Sequence, residues 1–297
     1  MKKILLASAA LALTAGMATA QGVTISGDAR MGVQYNNAGW GGGLGNWRME
    51  SRTNLNFAAS VQADHGLSFG AYWRVRQDNA WTRAPFGATA TSGDFSGHRV
   101  WVEAAGLRLS FGNQAGAVEA MGVTSIGAFG YTGGTFQTWG GLYAGGTGLN
   151  LYDSFGPGAA QHVGVSYTMG DVRVGVSHVR GGSTEVAAQA TFDAFTVAAG
   201  ASNAAARFRT ASATYNGGNW AANVIWSQFS GNNLVTLGAR ADLGGGQAAA
   251  YLGRHAGANV GGVSYRYGLG GGATIGGAVE RTAAGANRAE LGVVFSF

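Results

Sequence analysis

The stretch that decides the fold is VTISGDARMGVQY, residues 23–35. Apolar side chains such as Ile25 and Met31 occupy every second position, and polar side chains such as Asp28 and Arg30 lie between them. A period of two over this length predicts a β-strand with one apolar and one polar face.

The same alternation recurs along the chain and predicts an all-β fold of about sixteen strands, to within one pair. Short turns such as Gly170-Asp171 and Asp193-Ala194 separate many of the segments, as is typical of β-hairpins. The fifteen further predicted strands are Trp47–Gln62, Leu67–Arg76, Arg99–Ala105, Leu107–Phe111, Val163–Met169, Val172–Val179, Glu185–Phe192, Phe195–Ser202, Arg207–Tyr215, Trp220–Phe229, Val235–Asp242, Gln247–His255, Val260–Tyr267, Ala273–Arg281 and Arg288–Phe297.

The composition is unusual for a water-soluble domain. Charged residues make up 11% of the chain, against about 25% in an ordinary soluble domain. This low charge suits a protein with one side in lipid and one polar side. The absence of cysteine excludes disulfides, thiolate metal sites and a cysteine nucleophile.

Residues 1–20 are predicted to be a secretory signal peptide, with residues 21–297 as the mature domain. Lys2 and Lys3 precede an apolar run, and Ala18-Thr19-Ala20 forms a small-residue cleavage site. No later run of 18 apolar residues predicts a transmembrane helix. The mature chain has only arginine as its basic residue and no basic run, so we expect no nucleic-acid partner.

Two architectures fit the alternation, a soluble β-sandwich and a transmembrane antiparallel β-barrel. In hydrocarbon no water satisfies unpaired backbone groups, so a spanning sheet must close on itself. The low charge and the signal peptide favour the barrel, as do aromatic residues near strand ends, which are typical of an interfacial girdle. These aromatic residues are Tyr35, Trp47, Tyr215, Trp220 and Tyr267.

The long segment between the fifth and sixth predicted strands, residues 113–160, lacks alternation and is rich in glycine and aromatic residues. Its only charged side chains are Glu119 and Asp153. A structureless segment of this length in a compact domain is usually functional or disordered, and its composition does not indicate disorder. We therefore predict an inward-folded third loop that narrows a pore in the barrel lumen; an ordinary surface loop is the alternative.

Six arginines on the polar faces of the first five strands are the candidate pore residues. Facing Glu119 or Asp153, they would set a transverse field across the pore, because arginine stays ionised. Alternatively they form ion pairs within the barrel wall, with Asp28, Glu50 and Glu103. The six are Arg30, Arg52, Arg74, Arg76, Arg99 and Arg108.

No arrangement of residues predicts catalysis or metal binding. The five histidines are scattered, and His162 with His178 is a pair of hairpin neighbours rather than a metal site. No glycine-rich turn has the strand, helix and Lys or Ser/Thr context of a phosphate cradle. We therefore predict a protein that is not an enzyme and has no metal or cofactor.

With the strands placed, the sequence resembles the general porins of α-proteobacteria, of the Rhodobacter type. The resemblance covers essentially the whole mature chain and is strongest at its two ends. The stretches that carry it are SGDARMGV (26–33), residues 111–120, LGGGA (269–273) and LGVVFSF (291–297).

The resemblance implies a sixteen-stranded, water-filled, homotrimeric barrel in the Gram-negative outer membrane, with its third long loop folded inward. It also implies that Phe297 is an assembly signal for the barrel-assembly machinery. Calcium is the one cofactor it implies, but the loop that would bind calcium has only Glu119 and Asp153 as acids.

The predicted function is passive diffusion of ions and small hydrophilic solutes, with a mild anion preference. A substrate-specific channel is the first alternative, and an outer-membrane adhesin or enzyme is the second.

Overall fold

The structure is a computed structural model that describes residues 20–40, 45–78, 94–124, 129–131, 161–204 and 207–297. Sixteen strands lie within these ranges: β1 (Ala20–Asn36), β2 (Trp47–Gln62), β3 (Ser68–Asp78), β4 (Asp94–Ala104), β5 (Leu107–Gly112), β6 (His162–Met169), β7 (Val172–Val179), β8 (Thr184–Phe192), β9 (Phe195–Ser202), β10 (Arg209–Asn216), β11 (Trp220–Phe229), β12 (Asn232–Leu243), β13 (Gly246–His255), β14 (Ala258–Gly270), β15 (Ala273–Arg281) and β16 (Asn287–Ser296). Each strand pairs antiparallel with its neighbour in sequence, and β1 pairs with β16. The sheet is therefore a closed barrel, as predicted.

The strand count is confirmed, and several predicted boundaries are wrong at the loop ends of strands. β4 begins at Asp94 and not at Arg99, because a register shift against β3 between Ser96 and Arg99 interrupts the alternation. β12 begins at Asn232, because Ser230 and Gly231 form a tight turn with positive φ at both residues. β10 begins only at Arg209, since Arg207 has a φ of 45° that does not fit a strand.

The two ends of the barrel differ. One end, the short-turn end, carries the tight connections such as Gly170-Asp171 and Asp193-Ala194. The other, the loop end, carries the long connections, including those between β3 and β4 and between β5 and β6. In barrels of this type the short turns are periplasmic and the long loops extracellular.

The polarity of the two faces of the sheet is the reverse of that in a soluble protein. Large apolar side chains on the outer face are exposed, for example Leu252 at 70% and Met31 at 59%. Polar side chains on the inner face are buried, for example Gln34 at 0% and Glu50 at 2%. The closed ring with this polarity rules out the β-sandwich alternative.

The segment after β5 is not wholly irregular, which corrects the prediction. Ala117–Ala120 form a single helical turn, α1, because its N–H groups find acceptors on the barrel wall. Among the described residues no helix is long and apolar enough to cross a membrane. Residues 125–128 and 132–160 of the predicted inward loop lie outside the described residues, as do residues 1–19 of the predicted signal peptide.

Candidate functional site: the barrel lumen

The first part of the long segment is held by inner-face side chains of β7 and β8. The backbone N–H of Ala117 donates to Ser177 Oγ at 2.9 Å, and that of Val118 donates to Glu185 Oε2 at 3.1 Å. Both acceptor residues are buried, with Glu185 at 2% exposure. The wall thus supplies the acceptors that the first turn of α1 lacks.

An apolar cluster continues this contact along the inner wall. Val118, Met121 and Val123 pack with Phe208 and Leu234, so the segment reaches β12 by residue 123. The burial of these side chains inside the barrel fixes the path of residues 117–123.

The second described part, residues 129–131, lies against the next stretch of wall. The ring of Phe129 meets that of Tyr251 edge-on, with centroids 5.4 Å apart. The hydroxyl of Tyr131 donates to Glu50 Oε2 at 3.0 Å. Burial, and then the neighbouring Glu50 carboxylate, raise the pKa of Tyr131, so the phenol stays protonated as a donor.

Three glycines in register make room for Tyr131. Gly32 pairs with Gly292, and Gly292 pairs with Gly276, so they form a flat strip across β1, β16 and β15. A Cβ added at Gly32 would lie 2.6 Å from the Tyr131 ring, and one at Gly292 would lie 2.8 Å from it. Only residues without side chains allow the ring to approach this closely.

The described parts of the segment therefore follow the inner wall from β7 to β12 and on to β13, β15, β16 and β1. In a ring of sixteen strands, β3–β5 lie opposite β11–β13. The arginine-bearing strands thus face part of this path across the lumen.

Arg30 and Arg52 are register partners on β1 and β2, and each is 6% exposed. Arg30 Nε donates to Glu50 Oε1 at 2.8 Å, within a buried ion pair. Glu50 therefore joins Arg30 and Tyr131. Of the two roles predicted for the arginines, Arg30 therefore has the second, an ion pair within the barrel wall.

Arg74 and Arg76 lie on the inner face of β3 and are half-buried. Arg74 Nε donates to Ser96 Oγ at 3.2 Å, and Arg76 Nε donates to Asn54 Oδ1 at 2.8 Å. Asn54 in turn donates to Asp28 at 2.8 Å. Asp28 thus meets Arg76 through Asn54.

Arg99 and Arg108 lie closer to the short-turn end and stack on aromatic rings. The guanidinium of Arg99 is 4.2 Å from the ring centroid of Tyr72, and that of Arg108 is 4.3 Å from Trp101. Arg108 Nε also lies 3.7 Å from Glu103 Oε2. Both partners of this pair are over 40% exposed, so water screens it.

The remaining predicted site residues are Glu119, Asp153 and Phe297. Glu119 lies on α1 and is half-buried, and Asp153 lies outside the described residues. Phe297 lies on the outer face at 62% exposure, and its backbone exchanges two hydrogen bonds with Gly27, at 2.7 and 3.0 Å.

Sequence reasoning missed Arg173. It faces the lumen on β7 and, with the other two arginines at this end, lines a recess of about 290 Å³ under α1. The alternation Arg173, Gly175, Ser177 in β7 carried the signal for its inward position. Side chains that line the recess include Tyr72, Arg99, Trp101, Arg108, Arg173 and Ser177.

The lumenal carboxylates do not make a calcium site in the part of the chain that the structure describes. No three His, Asp or Glu side chains there gather closely enough to hold a metal ion. Glu50 is bound by Arg30 and Tyr131, and Glu280 lies 3.7 Å from Arg288. The described residues therefore do not fit the implied ion.

A closed β-barrel with an apolar outside and a charged, hydrogen-bonded inside is a membrane-spanning barrel with a polar lumen. The sequence model described as Gram-negative porin matches residues 7–293. The chain therefore belongs to the Gram-negative porin family, whose members are channels and not enzymes.

Individual relatives agree with this assignment. A porin of Rhodobacter capsulatus is 31% identical over 99 residues, which is 33% of this chain and 27% of that relative. A triple mutant of the Rhodopseudomonas blastica porin matches with a TM-score of 0.79 at 22% identity, over 93% of this chain and 100% of that one. A second mutant of the same porin gives 0.79 at 23% identity over the same shares. At this identity the likeness shows the fold.

Proposed function

We propose that the chain forms a water-filled outer-membrane pore through which ions and small hydrophilic solutes diffuse passively. The observation that carries this is the polarity of the closed barrel, whose buried inner face holds Arg30, Glu50 and Gln34 while its outer face is apolar. The segment along the inner wall narrows the lumen. Steady conductance in a planar bilayer tests the proposal, and a folded barrel without conductance would contradict it.

We propose a mild anion preference. Rings of arginine in a pore favour anions. Ion pairs such as Arg30–Glu50 cancel part of the charge, but Arg173 and Arg240 face the lumen with no hydrogen bond or ion pair to a described residue. Even one such charge near the path of an ion biases permeation, since two unit charges about 4 Å apart interact by roughly 4 kcal/mol at a dielectric near 20.

Reversal potentials in a KCl gradient test this preference. The wild type should prefer chloride, and an Arg74→Ala/Arg76→Ala variant should prefer it less. The matched control is Arg209→Ala/Arg254→Ala, which removes the same charge from the outer face of the barrel. A cation-selective wild type, or an equal shift in both variants, would refute the proposal.

A substrate-specific channel is the second candidate, and the recess under α1 favours it. Arg99 and Arg108 are held on aromatic rings there, and Arg173 adds a third guanidinium. A channel with a binding site of this kind should show saturable block of conductance by one small anion. A linear dependence of flux on solute concentration would leave general diffusion as the function.

We further propose that the mature chain begins at Gln21 and forms a homotrimer that the barrel-assembly machinery inserts into outer-membrane lipid. Mass spectrometry of the membrane form and the size of the unheated protein in detergent test the first two statements. We expect conduction to need no cofactor, so that chelation of calcium leaves the conductance unchanged.

A further inference from the structure

The recess under α1 exists because its floor is built from small residues. On the inner face of β5, β6 and β7 these are Ser110, Gly164, Ser166, Gly175 and Ser177. A Cβ added at Gly175 would lie 2.8 Å from the side chain of Met121, which follows α1 directly. The wall and the segment above it therefore leave about 290 Å³ between them, near the lower limit of small-molecule pockets.

Three arginines surround this floor. Arg108 on β5 and Arg173 on β7 lie on either side of β6, which contributes Ser166 to the floor. Strands are about 4.8 Å apart, so the backbones of the two arginines are separated by about 10 Å and both side chains can reach one small ligand. Arg99 on β4 adds a third guanidinium. Among the described residues that line the recess there is no Asp or Glu.

Two of these guanidiniums are held on aromatic rings. The guanidinium of Arg108 lies on Trp101, and that ring covers Gly70, its register partner on β3. The guanidinium of Arg99 lies on Tyr72 in the same way. A cation that is already held on a ring loses less conformational freedom when an anion binds to it. The recess is thus organised for an anion before the anion arrives.

The charge of the recess indicates the head group of its ligand. Glu103 lies 3.7 Å from Arg108 and offsets one of the three guanidiniums, so these four side chains have a net charge of +2. A phosphate monoester has nearly two negative charges at neutral pH, and its three terminal oxygens accept hydrogen bonds from several guanidinium groups at once. A dianion of this kind matches the recess in charge and in donor geometry.

The floor indicates what accompanies the phosphate. The hydroxyl of Ser166 forms no hydrogen bond with a described residue, and that of Ser110 donates to the carbonyl of Gly164, which leaves its oxygen as an acceptor. Serine hydroxyls both donate and accept, so they suit a ligand that has hydroxyl groups of its own. A dicarboxylate offers acceptors only.

We propose that the recess binds a small phosphate monoester of a polyol or sugar. The guanidiniums of Arg99, Arg108 and Arg173 bind the phosphate, and the serine floor contacts the hydroxyl groups. The proposal rests on the proposed pore, because the ligand must reach the lumen, and it names the substrate class of the substrate-specific channel. The arginines lie toward the short-turn end, so the site belongs to the periplasmic half of the lumen.

Isothermal titration calorimetry of the detergent-purified barrel tests the proposal at about pH 7.5, where phosphate monoesters are dianions. The probes are glycerol 3-phosphate, inorganic phosphate, succinate and glycerol. The wild type should bind glycerol 3-phosphate most tightly, the other two anions more weakly, and glycerol not at all. Succinate binding as tight as that of glycerol 3-phosphate would overturn the proposal.

Failure of this proposal is distinguishable from failure of the pore. A barrel that conducts steadily but does not bind glycerol 3-phosphate would overturn the proposal and leave the pore in place. A folded barrel that neither conducts nor binds would contradict both.

Arg108→Gln/Arg173→Gln should bind glycerol 3-phosphate about 25-fold more weakly, because each partly exposed ion pair contributes about fivefold. The matched control, Arg240→Gln/Arg266→Gln, removes two lumenal charges from β12 and β14 on the opposite wall. It should keep wild-type affinity, since salt screens charges more than about 10 Å away. Equal losses in the two double variants would overturn the proposal.

A serine variant tests the contact with the hydroxyl groups. Ser166→Ala should weaken the binding of glycerol 3-phosphate and leave that of inorganic phosphate unchanged; equal losses for both probes would contradict the assignment of the floor. Mobility on unheated gels checks the folding of each variant. If the Arg108→Gln/Arg173→Gln variant does not fold, the single Arg99→Gln variant should show about a fivefold loss, and wild-type affinity in it would count against the proposal.

Discussion

The hydroxyl of Tyr131 donates a hydrogen bond to Glu50, the carboxylate that also pairs with Arg30. One buried wall residue on β2 thus binds both the neighbouring strand and the segment that lines the lumen. Position of the segment and integrity of the wall depend on the same carboxylate.

We expect Tyr131→Phe to loosen the segment without opening the barrel. The substitution removes a hydrogen bond to a charged group, which contributes about 1.5–3 kcal/mol. Single-channel current should become noisier, while the temperature at which the barrel unfolds in detergent should change little. Tyr251→Phe is the control, because Tyr251 donates to Glu280 within the wall. Equal noise in both variants would argue against a role for the Tyr131 contact in holding the segment.

Gly292→Ala should displace the segment more strongly. The added methyl would lie 2.5 Å from the backbone oxygen of Met31 and 2.8 Å from the Tyr131 ring, so the β1–β16 pairing and residues 129–131 must both shift. We expect a changed single-channel conductance in a barrel that still folds. Gly268→Ala adds a methyl on the inner face of β14 where no atom lies within 4 Å, and should conduct like the wild type. Wild-type conductance in Gly292→Ala would show that the strip does not position the segment.

Two of the ion pairs in the wall, Arg30–Glu50 and Arg108–Glu103, should differ in their contribution to stability. Arg30 and Glu50 are buried, so Glu50→Gln breaks a buried ion pair and should cost about 3–5 kcal/mol. Glu103→Gln removes the partner of Arg108 at an exposed pair and should cost at most about 1 kcal/mol. Unfolding temperatures in detergent compare the two variants. A larger loss for Glu103→Gln would reverse this ranking.

Phe297→Ala tests whether the Phe297 ring acts in recognition by assembly factors or in packing at the β1–β16 seam. The backbone hydrogen bonds between residue 297 and Gly27 remain, so refolding of the purified protein into detergent should be close to wild type. In cells the amount of folded protein should fall several-fold, if the ring is the signal that assembly factors read. Quantification on unheated gels measures both. If refolding in detergent falls as much as the amount of folded protein in cells, the ring acts only by packing at the seam.

The strand pattern was predictable because it rests on local alternation. Five strands, among them Trp47–Gln62 and Ala273–Arg281, have the predicted bounds. The errors lie where backbone conformation decides, as at Arg207 with its positive φ and at the bulge between β3 and β4. A positive φ at a residue other than glycine leaves no clear mark in sequence.

The sequence predicted which side chains face the lumen, but it did not predict which of them are in contact. The alternation placed Arg30 and Glu50 on one side, since residues two apart share a face. It did not show that Glu50 also meets Tyr131, because that contact joins positions 81 residues apart. Nor did it distinguish Gly32, Gly276 and Gly292 from the many other glycines of the chain, as their common role depends on register across three strands.

The pairing of β1 with β16 closes the barrel, and we expect it to be the slow last step of folding. Asp28 and Ser296 are register partners although almost the whole chain separates them, and closing such a loop costs about 3 kcal/mol more than closing a hairpin of about ten residues. Until this seam forms, both strands expose unpaired backbone groups that hydrocarbon cannot satisfy. Entry into the bilayer and closure of the ring must therefore occur together. Cross-links between β1 and β16 should appear only after those between all other neighbouring strands.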